Sequence, residues 1–237
     1  MTWKAWLDGH AYDLETLGEL FRAGDPLVAE DIPDGYYLKS SAMQDSNGQP
    51  DHNAAEALVR RVNGVGRVAD EDFRPVHLVG RYTTPDGKTS VVVSGDTAEV
   101  RSRARVGTVL IDGVPVPQPP PKGPRYVALA AQHPDVADAL RVLGQPGPLD
   151  WYDIYKAWEI VEHAVGGWRQ VVAQGWTTRV DIERLTASAN HPGISGDEAR
   201  HARQPGAPGP NRIMTLREAD GLVRRLVANW IESQHSY

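Results

Sequence analysis

The chain of 237 residues has no cysteine, only two phenylalanines and only five lysines. Without cysteine it has no disulfide framework, no thiolate metal site and no cysteine nucleophile. No apolar run approaches the ~18 residues that a membrane-spanning helix needs. The segment 1–21 is charged and interrupted by polar residues, unlike a signal peptide. We therefore expect a cytoplasmic protein with no membrane partner.

Basic residues are outnumbered, because the formal net charge is −6. This charge argues against broad non-specific binding to nucleic acid or to anionic membranes. The acidic excess lies in residues 1–150, which hold 15 Lys and Arg against 21 Asp and Glu. Residues 151–237 hold ten of each kind, so a local basic patch is compatible with this part of the chain.

Proline is concentrated in one stretch. "VPVPQPPPKGP", residues 114–124, contains six of the 18 prolines. Prolines at this density favour extended polyproline II over a central strand or a helix. The sequence therefore predicts a linker at 114–124 between a domain at 1–113 and a domain at 125–237. The alternative is a long loop.

The pattern before the linker is mainly that of strands. Asp8-Gly9 in "KAWLDGHAYDL" predicts a first hairpin. "GYYLKSSAM" predicts a strand, and two to four more strands are predicted around the turn "PDG". "LETLGELF" and "NAAEALVRRVNGV" predict helices, the second with Leu58, Val62 and Val65 on one face.

The pattern after the linker is helical. "HPDVADALRVLG", "DWYDIYKAWEIVEHAVGG", "TTRVDIERLTASAN" and "TLREADGLVRRLVANWIES" each predict a helix. Asp150 is the predicted cap of the second, and Thr215 and Glu218 form a capping box on the last. "SGDEARHAR" predicts a short helix with a capping box of Ser195 and Glu198. The predicted fold class is α+β, with a β-rich N-terminal domain followed by an all-α helical-bundle domain.

Phosphate-loop, nucleophile-elbow, calcium-loop and dinucleotide-binding motifs are absent from the sequence. Glu159 and His163 have the i, i+4 spacing that places two metal ligands on one helix face. A third ligand would come from elsewhere, with His201 as a candidate, and the alternative is two solvated surface residues. We predict neither a metal nor a cofactor.

Three arginines alternate in "AEVRSRARVG", namely Arg101, Arg103 and Arg105. Alternate residues of a strand share one face, so these side chains are predicted to lie side by side. One interpretation is a track that binds RNA or another anion. The alternative is the solvated face of a half-buried sheet.

A second polar group lies between the last two long predicted helices. It comprises Arg184, Asn190, His191, Asp197, Arg200, His201 and Arg203. Imidazole takes or gives a proton near neutral pH, while guanidinium binds phosphate and stabilises developing negative charge. These residue types therefore fit RNA cleavage without a metal.

In that hypothesis, His201 or His191 is the catalytic acid or base. The predicted partners at phosphate or RNA are Arg200, Arg184, Arg203 and Asn190. The alternative is ordinary helix electrostatics, because acidic residues at 197–198 precede basic residues at 200–203 in one predicted helix.

Residues 125–237 resemble the HEPN superfamily (higher eukaryotes and prokaryotes nucleotide-binding), a group of small helical domains. The motif behind this resemblance is an arginine followed, after four to six residues, by a histidine. "RLTASANH" places six residues between Arg184 and His191. It departs from the family in having leucine after the arginine and proline after the histidine. "ARHAR", residues 199–203, is a denser cluster whose spacing is not the family's.

The resemblance implies a protein that binds or cleaves RNA or a nucleotide, as a metal-independent endoribonuclease of a bacterial defence or toxin-like system. It also implies a homodimer through the C-terminal helical domain. The alternative is a non-catalytic sensor or interaction module that dimerises through the same domain. The last helix carries a wide apolar arc, which predicts either a dimer contact near Trp230 or Ile231 or deeper burial within the monomer.

Overall fold

The computed structural model describes residues 2–84, 86–92, 110–111, 114–115, 120–196 and 213–234. Its contacts divide the chain into two compact units. The first unit combines residues 1–59 with 76–128, and the second combines 60–75 with 129–237. The chain is α+β, as expected. Within the described residues, no helix is both long enough and apolar enough to cross a membrane.

The first unit is built on one five-stranded antiparallel sheet. Its strands are β1 (Lys4–Asp8), β2 (Leu27–Asp31), β3 (Gly35–Lys39), β4 (His77–Thr83) and β5 (Thr89–Val91). Their order across the sheet is β2-β3-β1-β4-β5. Helix α1 (Ala11–Leu20) connects β1 to β2, and α2 (His52–Ala69) follows a 3-10 helix at Ser41–Met43 and leads to β4. Each connection joins two parallel strands with a third between them, which is the split β-α-β arrangement.

The strand register places alternate residues on the core side of this sheet. Ala5 of β1 lies opposite Leu38 of β3 and Tyr82 of β4, and all three are fully buried. Leu17 of α1 and Leu58 of α2 are buried as well. The helices predicted in "LETLGELF" and "NAAEALVRRVNGV" are thereby confirmed, and so is the strand at the start of "GYYLKSSAM".

The turn predicted at "PDG" is confirmed, because β4 and β5 pair across it. Gly87 has a φ of 86°, which favours glycine, and its N–H donates to the Thr84 carbonyl at 3.0 Å. Two short strands, β6 (Leu110–Ile111) and β7 (Val114–Pro115), form a separate antiparallel pair.

The hairpin predicted at Asp8-Gly9 is wrong. β1 ends at Asp8, and the chain continues into α1. The Nδ1 atom of His10 accepts a hydrogen bond from the Tyr12 N–H at 3.3 Å and so caps the helix. Leu14 and Leu17 then recur at helical spacing and are buried, which favours a helix over the second strand of a hairpin.

The second unit contains most of the helices. They are α3 (Lys122–Gln132, shared with the first unit), α4 (Pro134–Leu143), α5 (Trp151–Val165), α6 (Trp168–Ala173), α7 (Arg179–Asn190), α8 (Pro192–Ser195) and α9 (Leu216–Ser233). The four long helices predicted after the linker correspond to α4, α5, α7 and α9. Val62 and Val65 of α2 are buried and belong to this unit too.

Local capping explains where two of these helices begin and end. The Asp150 side chain accepts from the Asp153 N–H at 2.8 Å, and Gly166, with a φ of 89°, ends α5. Thr215 and Glu218 form the predicted capping box of α9. Trp230 and Ile231 at the other end of α9 are buried within the single chain, so packing inside the monomer accounts for the wide apolar arc.

The compact units and the predicted domains assign some residues differently. Residues 60–75 group with the helical unit, and α3 begins at Lys122, inside the predicted linker. Residues 116–119 of that linker lie outside the described part of the chain. Ser195 is the last residue of α8, and its hydroxyl donates to the carbonyls of Ala189 and His191. Its predicted capping partner Glu198 is outside the described residues.

Candidate functional site

Arg184, the first residue of the predicted Arg-x6-His motif, is held by hydrogen bonds inside the helical unit. Its Nε and Nη2 atoms donate to the Ile213 carbonyl oxygen at 3.1 and 2.8 Å. Nη2 also lies 3.3 Å from Oε1 of Glu218. The bond from the Thr215 N–H, the Thr215 hydroxyl and Arg184 together lower the pKa of Glu218. Arg184 therefore ties α7 to the beginning of α9.

His191, the second residue of the motif, connects α7 to α8. It is the C-cap of α7 and the N-cap of α8. Its Nδ1 atom accepts from the Gly193 N–H at 3.0 Å. His191 therefore uses one ring nitrogen in a local backbone contact at the start of α8.

Asn190 is placed at the end of α7, whereas six other predicted site residues are not placed. Arg101, Arg103, Arg105, Arg200, His201 and Arg203 lie outside the residues that the structure describes. Their roles stay predictions. In the described part of the chain, no three His, Asp or Glu side chains come together as a metal site would require.

A cleft of about 670 Å³ opens in the helical unit, between α5, α6 and α7. Its wall consists of Tyr155, Trp158, Glu162, Trp168, Arg179, Ile182, Glu183, Thr186, Ala187 and Asn190. Gly166 and Gly167, with φ angles of 89° and 105°, turn the chain between α5 and α6. Only glycine adopts such angles at low cost, so this turn positions Trp168 at the start of α6, beside α5.

Aromatic rings form much of the cleft wall. Trp158 is almost fully buried, while Tyr155 and Trp168 are partly exposed. The Arg179 guanidinium lies 5.8 Å from the Trp168 ring centroid, and its Nε atom is 2.7 Å from Oε1 of Glu183. The charges of Arg179 and Glu183 therefore balance each other at the rim.

Asn190 lies in the cleft wall and is 8% exposed. Its Nδ2 atom donates to the Thr186 carbonyl at 2.8 Å, which fixes the orientation of the amide. Its Oδ1 atom is buried and has no hydrogen-bond partner within the described residues. An unsatisfied buried acceptor costs about 1–3 kcal/mol, so this atom is energetically unfavourable.

The sequence predicted Asn190 as a contact for phosphate or RNA. An amide oxygen accepts hydrogen bonds and a phosphate also only accepts them, so Oδ1 suits a donor instead. The other residues of the cleft wall were not predicted as site residues from the sequence. The signal available was the i, i+4 pair of Thr186 and Asn190 on the same helix as Ile182, facing a helix rich in aromatic residues.

Comparison with known proteins does not assign the chain to a family. No family model, no curated protein and no solved structure matches it. Its function is therefore argued from the cleft and from the contacts of its helical unit.

Proposed function

We propose that this protein is a non-catalytic binding module whose helical unit takes a small ligand into the cleft between α5, α6 and α7. The observation that carries the proposal is the buried, unpartnered Oδ1 atom of Asn190 in the cleft wall. Because that atom has almost no accessible surface, a ligand that donates a hydrogen bond to it must first displace the groups that cover it, and the new bond then removes the cost of the unsatisfied acceptor. The cleft volume of about 670 Å³ lies in the range that binds small molecules.

The contacts of the Arg-x6-His pair support binding over catalysis. Arg184 is occupied by the Ile213 carbonyl and Glu218, and His191 caps a helix. A phosphate would have to displace those partners from Arg184. Both residues therefore have structural roles that account for their presence without RNA chemistry.

The ribonuclease hypothesis for HEPN-like domains now rests on Arg200, His201 and Arg203. It is tested by incubating the purified protein with RNA in EDTA, beside His201→Ala and His191→Ala variants. Cleavage that survives EDTA and is lost in His201→Ala supports the nuclease. The predicted homodimer is tested by light scattering at micromolar concentration, where a monomer has a mass of 25.9 kDa.

The binding proposal is tested by NMR with a library of small fragments added to the protein. We expect a subset of fragments to shift the indole signals of Trp158 and Trp168. Asn190→Leu should abolish those shifts, since it removes the acceptor while keeping a similar side-chain volume. Asn229→Leu, at an exposed position of α9, is the matched control. If no fragment perturbs the two indoles, the proposal fails.

A further inference from the structure

We infer that the ligand of this cleft is an organic cation, with an amine or amidine N–H group directed at Asn190 and Glu162. The inference rests on the proposed binding function and adds the chemical class of the ligand. It depends on three features of the cleft wall: the charge of Glu162, the acceptor on Asn190 and the aromatic rings.

Glu162 supplies the charge. It lies in the last turn of α5, and its carboxylate makes no ion pair or hydrogen bond within the described part of the chain. The other two charged residues of the wall, Arg179 and Glu183, are paired with each other. Among the charged residues of the wall itself, Glu162 is therefore the one without a partner in the described part of the chain, and its charge attracts a cation and repels an anion.

Asn190 supplies the specificity. Its Oδ1 atom accepts only, and its Nδ2 donor is already used by the Thr186 carbonyl. A carbonyl, carboxylate or phosphate oxygen of a ligand would add a second acceptor beside an unsatisfied one. An ammonium or amidinium group instead brings several N–H donors for Asn190 and Glu162.

The aromatic rings favour the same class of ligand. Indole and phenol faces attract cations through their quadrupoles, and the effect is strongest for tryptophan. Trp168 already lies near two guanidinium groups, with Arg169 at 4.8 Å and Arg179 at 5.8 Å from its centroid, so a ligand cation at this ring would have to replace one of them. Tyr155 and Trp158 of α5 belong to the same wall, and the hydrocarbon part of a ligand can make apolar contact with them.

The test uses three probes that share one phenyl ring and differ in charge: phenethylamine, phenethyl alcohol and phenylacetate. Each is titrated into the full chain by calorimetry, with AMP as a phosphate-bearing comparison. We expect the amine to bind about tenfold more tightly than the alcohol, and added salt to weaken its binding. Phenylacetate and AMP should not compete with it.

Variants assign the preference to the cleft. Glu162→Gln should remove most of the advantage of the amine over the alcohol, while Asn190→Leu should weaken amine binding by removing the acceptor. Glu159→Gln is the control, because it makes the same charge change on α5 outside the cleft wall. Glu162 is partly exposed, so Glu162→Gln should still fold, and a loss of amine binding can then be assigned to the lost charge.

The outcomes separate the ligand class from the binding function. If neutral or anionic fragments shift the Trp158 and Trp168 signals as strongly as amines do, the cleft binds ligands but the cation inference is wrong. An amine preference that persists in Glu162→Gln also overturns it. If neither the probes nor the fragment library perturb the cleft, the binding function itself fails.

Discussion

The guanidinium of Arg224 in α9 donates through Nη1 to the main-chain carbonyl of Arg67 in α2, at 3.1 Å. The same atom donates to the carbonyls of Asp70 and Glu71, just beyond the end of α2. Arg67 in turn donates to the carbonyls of Leu143, Gln145 and Gly147, where α4 ends. Each arginine thus satisfies the free carbonyls at the C-terminus of another helix.

These two buried arginines explain why residues 60–75 belong to the helical unit. Burial, together with the nearby charge of Arg224, lowers the pKa of Arg67 to about 10, so Arg67 remains charged at neutral pH. Asp220 lies 2.6 Å from Nε of Arg224 and compensates part of that charge. The end of α2 is therefore held by an electrostatic and hydrogen-bonding network of the second unit.

Arg224→Met should lower the free energy of unfolding by about 3–5 kcal/mol. The change leaves Asp220 without its partner and the three carbonyls at the end of α2 unsatisfied. Arg225→Met, the exposed neighbour on α9, should change it by less than about 0.5 kcal/mol. Urea denaturation of the two variants measures the difference. Equal effects would show that the Arg224 contacts contribute no more than a surface arginine does.

Gly64 of α2 should be irreplaceable although it lies inside a helix. A Cβ atom there would lie 2.1 Å from the Leu140 carbonyl oxygen, which is backbone and cannot move aside cheaply. Gly64→Ala should therefore lower the free energy of unfolding by about 2 kcal/mol or more, despite the better helix propensity of alanine.

Gly221 of α9 is the control for this prediction. The nearest atom to its added Cβ is the flexible end of Arg225, at 3.4 Å. Gly221→Ala should raise the free energy of unfolding by up to about 1 kcal/mol, because only the propensity changes. Thermal or urea denaturation of both variants tests the pair. A stabilising Gly64→Ala would contradict the close approach of α2 and α4.

The elements predictable from the sequence are those whose signals are local. Capping contacts lie within one helical turn, as for Asp150 and Gly166 at the ends of α5 and for Thr215 at the start of α9. Both helices were therefore predicted from the sequence. The hairpin prediction at Asp8-Gly9 was wrong because a dipeptide that favours hairpins also permits a strand to end before a helix. What decided between them was the burial of Leu14 and Leu17, which depends on packing against the sheet.

The contacts of Arg67 and Arg184 were not predictable, because their acceptors are distant in the sequence. Arg67 has the spacing of a solvated helix cation, yet its acceptors lie 76 to 80 residues away. Asn190 was selected for its residue type. Its amide nitrogen bonds to Thr186, only four residues away, but the burial of its Oδ1 atom depends on tertiary packing. Arg184 shows the same limit, since its principal acceptor is the Ile213 carbonyl.

Tyr82 should make the stability of the first unit depend on pH in the alkaline range. Burial, with help from Glu56 and Asp51, raises its pKa from 10 to about 12. Its hydroxyl lies 2.6 Å from Nδ1 of His52. The folded state holds the phenol proton more tightly than the unfolded state, so this contribution is complete below pH 10 and is lost as the pH rises toward 12.

The measurement is denaturation at a series of alkaline pH values. Tyr82→Phe should be about 1 kcal/mol less stable at neutral pH, because it loses the bond to His52. It should also lose less stability than the wild type between pH 10 and 12. Tyr152→Phe, at an exposed position, should follow the wild-type profile. Parallel profiles for Tyr82→Phe and the wild type would show that the phenol titrates normally.

The nuclease and binding hypotheses assign Arg184 different roles, so substitution of this residue distinguishes them. If it holds α7 to the start of α9, Arg184→Ala should lower the free energy of unfolding by about 1.5–3 kcal/mol through loss of a charged group bonded to a carbonyl. Arg179→Ala removes a side chain that forms an exposed ion pair on the same helix, and it should cost less than about 1 kcal/mol.

Denaturation and RNA cleavage in EDTA are measured on the same preparations. A catalytic Arg184 would show the reverse pattern, in which stability is kept and cleavage is lost together with that of His201→Ala.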